Sequence, residues 1–228
     1  MAKRIYESAF ASLTVQLLIG IICLFGIFYK VDNEDRVLNE ILILETIVQF
    51  VEFAFYIWLV VQYHKLEIDI SIARYFDWFF TTPTMLFSLM SFMIYYAKTQ
   101  RGESTENVTL KTIYSENNDV INRVLLYNAL MLITGFLGEL KIIARNVAFV
   151  IGSLFLFMAF YLIYANFTQD QTLTTIVFAF NLIVWSGYGI GYMLSYENKN
   201  VMYNILDIFA KNIQGLLILG FIIYKYSD

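Results

Sequence analysis

Seven apolar stretches, each long enough to cross a bilayer as a helix, constrain this chain more than any other feature. They lie at 6–30, 37–63, 68–97, 120–141, 145–166, 172–195 and 200–226. About 20 mostly apolar residues suffice for a helical crossing. Backbone groups cannot stay unpaired in hydrocarbon, and these stretches lack the period of barrel strands, so they must be helices. Polar segments punctuate them: VDNEDR, HKLE, the span Lys98–Asp119, the corner Lys141–Arg145, TQDQ and YENKN. The Lys98–Asp119 segment reads as a solvated loop or a helix extension. Only 15% of the 228 residues are charged and 59% are hydrophobic, against about a quarter charged in a soluble domain. The expected fold is an all-α integral membrane bundle of seven transmembrane helices, with 1–228 as a single domain.

Several function classes fall away on composition. A net charge of −4 without a basic run argues against a nucleic-acid partner. A single cysteine, Cys23, permits no intramolecular disulfide. The start, MAKRIYESAF, has no small-residue cleavage site after a short apolar core, so it reads as the beginning of helix 1 and not as a signal peptide. Lys and Arg are spread almost evenly over the two sides, leaving orientation undetermined by charge. The sequons at Asn107 and Asn166 fall on one side and are expected to be unused. No catalytic constellation or metal-ligand set is expected, and the chain is not read as an enzyme.

Ionisable side chains inside a membrane are costly and mark function by default. Helix 2 carries Glu40, Glu45 and Glu52, helix 3 carries Arg74 and Asp77, and helix 7 carries Asp207 and Lys211. Asp207 and Lys211 are four residues apart, so they share a helical face about 40° apart. A bare ammonium at that depth needs an ion pair or conversion to an imine with an aldehyde. On helix 3, Arg74, Asp77, Thr81 and Ser88 fall within about 60° of one another. Pro83, the only proline, interrupts that helix, and Thr81 and Thr82 can help satisfy the freed backbone. Trp78 beside Asp77 suggests an acid held next to a flat ligand.

The segments RYFDWFFTTP and DIFAKN resemble helices 3 and 7 of the microbial rhodopsins, and the resemblance extends over nearly the whole chain. It implies all-trans retinal bound to Lys211 as a protonated Schiff base. Asp77 and Asp207 would be the counterions, with Arg74 ordering charge and water on the extracellular side. In helix 6, WSGYGIGY is similar to the family's aromatic box and supplies Trp185, Tyr188 and Tyr192, with Gly189 where many members have proline. Thr82, Met85, Met131, Thr134 and Gly135 match further pocket positions, Gly135 permitting close approach of the ligand. Apolar Met85, at a tuning position, leans towards green absorption.

Outward pumps of this family carry a proton-donating carboxylate eleven residues after the counterion on helix 3; here that residue is Ser88. Helix 2 instead offers Glu45, Gln49 and Glu52 on one face, since seven residues bring a helix back to within about 20°. Ser12 and Gln16 on helix 1 and Asn204 and Asn212 on helix 7 complete a polar seam. Carboxylates along a path attract cations. Ser12, Glu45 and Asn212 match the central gate of channelrhodopsins, while the cysteine and aspartate that slow closure there appear here as Thr82 and Asn128. The whole resembles the first group of viral rhodopsins, which are light-gated cation channels. The expectation is a channel for monovalent cations and protons, with a light-driven proton pump or a sensor as alternatives. Expected partners are the lipid bilayer, cations, protons and, in a homo-oligomer, further copies of the chain. The N-terminus is expected outside and the C-terminus in the cytoplasm.

Overall fold

The computed structural model describes residues 3–63, 69–169 and 171–226. It contains seven long helices: α1 (Lys3–Gly26), α2 (Arg36–Gln62), α3 (Ile70–Gln100), α4 (Leu110–Glu139), α5 (Arg145–Phe167), α6 (Thr172–Tyr192) and α7 (Tyr196–Tyr226). A short 3-10 turn, Asn33–Asp35, precedes α2. The expected HKLE loop and Asp170 of TQDQ lie outside the described residues. Each helix packs on its sequence neighbours, α1 also packs on α7, and the ring closes around α3, which reaches α4, α5, α6 and α7.

The sequence pattern is inverted relative to a soluble bundle. The buried stripe of α1 is small or polar (Ala9, Ser12, Gln16, Gly20, Cys23), while Phe10, Leu18, Ile22 and Phe25 are exposed. Lipid is as apolar as leucine, so small residues bring helices together and large ones face outward. Six of the helices are long and apolar enough to cross a membrane by themselves; α3 is not among them. Arg74, Asp77, Thr81, Thr82, Ser88 and Ser91 lower its hydropathy, and all are buried in protein. Its outward residues Phe76 and Phe80 are exposed and apolar. The polarity of α3 is thus enclosed by the other helices.

Helix ends explain where the expected boundaries shift. Asp69 caps α3 by accepting the Ser71 amide at 2.8 Å. Thr109 and Thr112 form a reciprocal capping box at the start of α4. Glu40 adds a second acceptor there, taking the Leu110 amide at 2.8 Å. This buttress turns much of Lys98–Asp119 into helix, broken only at Asn117 (φ −124°, ψ 17°). Glu40 is therefore a capping residue and not part of the interior acid set. The YENKN segment, expected as a loop, forms the first turns of α7 because Asn200 is drawn into the bundle. Asn166 lies in the last turn of α5, its amide donating to Leu162 O at 2.8 Å.

At the C-terminal end of α7, Asp35 is buried and accepts from Lys225 (2.8 Å), Tyr95 and Tyr226. This ties the α1–α2 connection to α3 and α7. At the opposite end, Gly138 sits where α4, α5 and α6 meet. A Cβ there would overlap the Tyr192 hydroxyl and lie 2.5 Å from the Ala148 Cβ. Gly138→Ala is expected to destabilise the fold by about 1–3 kcal/mol, read as a lowered thermal midpoint. An unchanged midpoint would mean that the corner opens without cost.

Candidate functional site

A slot enclosed by α3, α4, α5, α6 and α7 runs through the middle of the bundle. Trp78, Thr82, Met85, Met131, Gly135, Trp185, Tyr188 and Tyr192 line it, as does Lys211. Thr134 does not. It lies on α4 about 100° away from Gly135, and its hydroxyl donates along the helix to Leu130 O at 2.7 Å. Tyr75, Phe149, Leu156 and Tyr203 add walls that the helix-3 and helix-6 motifs had not indicated. Edge-on aromatic contacts fix the walls: Trp78 meets Tyr188 at 5.5 Å and Tyr203 at 5.1 Å, and Trp185 meets Phe160 at 5.6 Å. The missing side chain of Gly135 makes room for the Tyr75 hydroxyl, 2.5 Å from where a Cβ would be. The close approach at Gly135 is therefore made by protein.

Lys211 on α7 is fully enclosed, and its Nζ faces three carboxylates. It contacts Glu52 of α2, donates to Asp77 at 2.6 Å and lies 3.8 Å from Asp207. Sequence spacing had paired Lys211 with Asp207, its neighbour one turn away. Asp207 is engaged elsewhere: Tyr188 donates to Oδ1 and Tyr56 to Oδ2, both at 2.6 Å, and Arg74 Nη1 reaches Oδ2 at 3.0 Å. Glu52, placed by its helical face in the seam, stands against the lysine nitrogen. Three carboxylates thus face two cations, Arg74 and Lys211. A buried excess charge is costly, so the two cations are shared among the three carboxylates.

Arg74 organises the half of the bundle nearer the start of α7. It donates to Asn204 and, at 3.4 Å, to Asn200, and it lies over the rings of Phe55, Tyr56 and Tyr203. Asn204 also donates to Ile5 O and Ser8. With its oxygen and amide both engaged, Asn204 is a junction between α1, α2, α3 and α7, on the polar seam where its helical face put it. Tyr56 was missed. Its signal was present, since it continues the face of Gln49 and Glu52 one turn on.

On the other side of Lys211, the expected mutual contacts of Ser12, Glu45 and Asn212 do not form. Gln214 intervenes: its amide donates to Glu45 at 3.0 Å and Ser88 at 2.9 Å. It is one methylene longer than asparagine and projects between α2 and α3. Asn212 donates along its own helix to Ile208 O at 2.9 Å. Thr81 and Thr82 donate to the carbonyls of Asp77 and Trp78, just before Phe79, whose carbonyl Pro83 leaves without its helical partner. Asn128 of α4 donates to Thr82 at 2.9 Å, joining the two positions noted as counterparts of the slow-closure pair.

Eight buried side-chain atoms near this seam have no hydrogen-bond partner among the described residues. They are Ser12 Oγ, Gln16 Oε1, Glu45 Oε2, Gln49 Oε1, Glu52 Oε1, Asp77 Oδ1, Asn212 Oδ1 and Gln214 Oε1. Gln16 donates to Asp207 O at 3.3 Å, and Gln49 faces Cys23 at 3.5 Å. Gly20 and Gly215 flank Gln49, and a Cβ on Gly215 would lie 2.7 Å from its amide nitrogen. Buried polar groups are nearly always satisfied, if not by protein then by ordered water. This file runs between α1, α2, α3 and α7.

A long slot with aromatic walls and a primary amine held among carboxylates suits an apolar polyene aldehyde. The body needs packing, the amine supplies the attachment, and the unpartnered oxygens of Glu52 and Asp77 leave capacity for a cationic nitrogen. A bundle of seven helices, six of them apolar enough to cross a membrane by themselves, with such a slot inside it has the architecture of a membrane-embedded retinal photoreceptor. Residues 8–224 match the family model described as bacteriorhodopsin-like protein, and the chain belongs to that family, the microbial rhodopsins. It is 25% identical over 175 residues to a green-light absorbing proteorhodopsin of Gamma-proteobacterium EBAC31A08, a match covering 69% of this chain and 64% of that protein. The match therefore spans just under two thirds of the relative. Among solved structures, the viral rhodopsin OLPVRII superimposes with a TM-score of 0.83 at 24% identity, covering 97% of this chain and 99% of the other. A blue light-absorbing proteorhodopsin from Med12 gives 0.72 at 19% identity, with 98% of each chain covered. The fold is that of the rhodopsin bundle, close to a viral member, and the cofactor of the family is retinal.

Proposed function

We propose that the protein is a light-gated channel for monovalent cations and protons, of the kind found in the first group of viral rhodopsins. The observation that carries this reading is the file of buried, unpartnered polar atoms on α1, α2, α3 and α7. A pump needs proton sites on either side of the lysine, whereas unpartnered acceptors spread over four packed helices also suit a hydrated path. Glu45 and Glu52 among them favour cations over anions. Bound through Lys211, retinal supplies a light-driven change in the direction and environment of the nitrogen it shares with the lysine.

The chain's residues do the rest. Asp77 and Glu52 hold the nitrogen's proton in the dark and are placed to receive it. Asp207 is fixed by Arg74, Tyr56 and Tyr188, so it acts as a standing charge. The Arg74–Asn204–Asn200 junction closes the bundle on the extracellular side, with the N-terminus outside. On the cytoplasmic side the Glu45–Gln214–Ser88 contacts close the seam, and the Asp35 cluster forms a second closure. Loss of the proton link between Lys211 and its carboxylates removes the charge pairing that holds α2, α3 and α7 together at this level. Apolar Met85 on the slot wall favours absorption in the green.

Whole-cell voltage clamp with retinal and a green flash tests the reading. The photocurrent is expected to reverse sign at a potential that follows the monovalent cation and proton gradients. A current of one direction at every holding potential would replace the channel by an outward proton pump, a reading that the carboxylates on both sides of Lys211 also allow. A coloured protein without current would favour a sensor.

A further inference from the structure

Tyr203 lies four residues before Asp207 and eight before Lys211, on the face of α7 that carries both. Its ring is buried and lines the slot. It meets Trp78 of α3 edge-on at 5.1 Å and Tyr188 of α6 at 5.6 Å, two further walls of that slot. The same ring faces the guanidinium of Arg74, whose Cζ is 5.6 Å from its centroid. Phe55 and Tyr56 also face that guanidinium, at 5.5 and 5.9 Å, but neither lines the slot. Among the described residues, Tyr203 is therefore the one ring that touches both the slot and Arg74. We propose that Tyr203 is a positioning residue that carries movement of the slot walls to Arg74, so that a light-driven change in the shape of the slot's occupant turns the guanidinium on its acceptors. The proposal rests on the reading of Lys211 as the photoactive attachment, but not on the choice between channel and pump.

Packing fixes the ring where it can act. Gly191 of α6 has no side chain, and a Cβ there would lie 2.8 Å from Tyr203 Cε1 and 3.2 Å from Cδ1. The ring is thus wedged between α6, the edge of Trp78 and the head of Arg74. A close-packed interior passes displacement on from one side chain to the next, and a push from Trp78 or Tyr188 leaves this ring little room except along the guanidinium. Arg74 has alternatives open to it. It is held closely by Asp207 at 3.0 Å and by Asn204, but its bonds to Tyr56 (3.3 Å) and Asn200 (3.4 Å) are long. A desolvated cation–ring contact is comparable with one such bond. Shifting the ring is therefore enough to change how the guanidinium divides itself among its acceptors, which is the two-position element that coupling between sites requires.

Arg74 also senses Lys211 electrostatically, through Asp207. Leucine at position 203 leaves the Arg74–Asp207 bond in place and removes only the ring, so it separates the two routes. Phenylalanine keeps the ring and removes only the hydroxyl.

The test uses retinal-loaded full-length protein in lipid nanodiscs, with arginine labelled by nitrogen-15 in the guanidinium. Flash-induced infrared difference spectra of labelled and unlabelled samples isolate the guanidinium C–N stretch, scaled to the amount of pigment converted. Arg74→Lys identifies the band, since Arg145 also lies over a slot ring, Tyr192, at 5.6 Å. Wild type and Tyr203→Phe should show the Arg74 signal at the same size, and in Tyr203→Leu it should fall at least tenfold. Gly191→Ala keeps Tyr203 but crowds its ring, and should shift the Arg74 band already in the dark. This second variant decides the matter where Tyr203→Leu does not fold. A full-sized signal in Tyr203→Leu, or an unshifted band in Gly191→Ala, would overturn the assignment. Equal loss in Tyr203→Phe would overturn it too, by giving the role to the hydroxyl. A wild type that stays colourless with retinal would instead overturn the reading of Lys211, and this proposal with it.

Discussion

Lys211→Ala is expected to give a colourless protein when mixed with all-trans retinal. The slot remains, but its wall no longer carries the amine, and retinal held only by packing keeps the near-ultraviolet absorption of the free aldehyde. Alanine also leaves Glu52 and Asp77 facing each other without the cation between them. Breaking a buried ion pair from one side costs about 3–5 kcal/mol, so this variant alone could lose colour by failing to fold. Lys211→Arg separates the two causes. It keeps a cation for the carboxylates but offers no primary amine for imine formation. A folded, monodisperse and colourless Lys211→Arg protein beside a red or purple wild type is the expected result. A visible band in either variant would place the attachment elsewhere and dismantle the site described above.

The residues that carry this chemistry differ in how clearly the sequence announces them. Seven spans were legible because crossing hydrocarbon requires long apolar runs and nothing else satisfies the backbone. Their ends were less so. Glu40 reaches across from α2 to cap α4, and no local pattern reveals a cap supplied from 70 residues away. Lys211, Asp77 and Arg74 stand out as charges in apolar helices. Helical periodicity then assigns each residue to a face of its own helix. It does not give the relative height or rotation of two helices, and that is where the expectations departed from the structure. Spacing paired Asp207 with Lys211, and that pair is present at 3.8 Å, but the height of α2 against α7 also brings Glu52 to the lysine, which spacing could not show. Gln214, three residues past Lys211, attracted no notice as an uncharged amide, yet it reaches both Ser88 and Glu45. Thr134 was assigned to the slot beside Gly135, but a helix turns by about 100° at each residue, and Thr134 binds its own backbone instead.

The placement of Glu52 leads to the second large effect. If three carboxylates share the charge of two buried cations, then either Glu52→Gln or Asp77→Asn removes one acid and leaves two against two. Each single variant should therefore keep a visible band, shifted to the red because one of the two carboxylates in contact with the nitrogen becomes a neutral amide and the remaining negative charge lies on average farther away. Neither loss should prevent folding, since the neutral amides preserve shape and Lys211 keeps one close carboxylate. In Glu52→Gln/Asp77→Asn the arithmetic changes. Asp207 is then the only acid left near the nitrogen, at 3.8 Å, and it is already engaged by Arg74, Tyr56 and Tyr188. A buried cationic nitrogen needs an anion close by to keep its proton, so the double variant should lose its visible band at neutral pH and absorb in the near ultraviolet. Acidification should bring the colour back, because it supplies the proton from solution. The non-additivity is the signature: two singles that merely shift colour and a double that abolishes it. If Asp77→Asn alone bleached the pigment while Glu52→Gln did nothing, Asp77 would be the sole working counterion. Glu52 would then belong to the ion path alone, its contact with Lys211 contributing nothing to the charge balance.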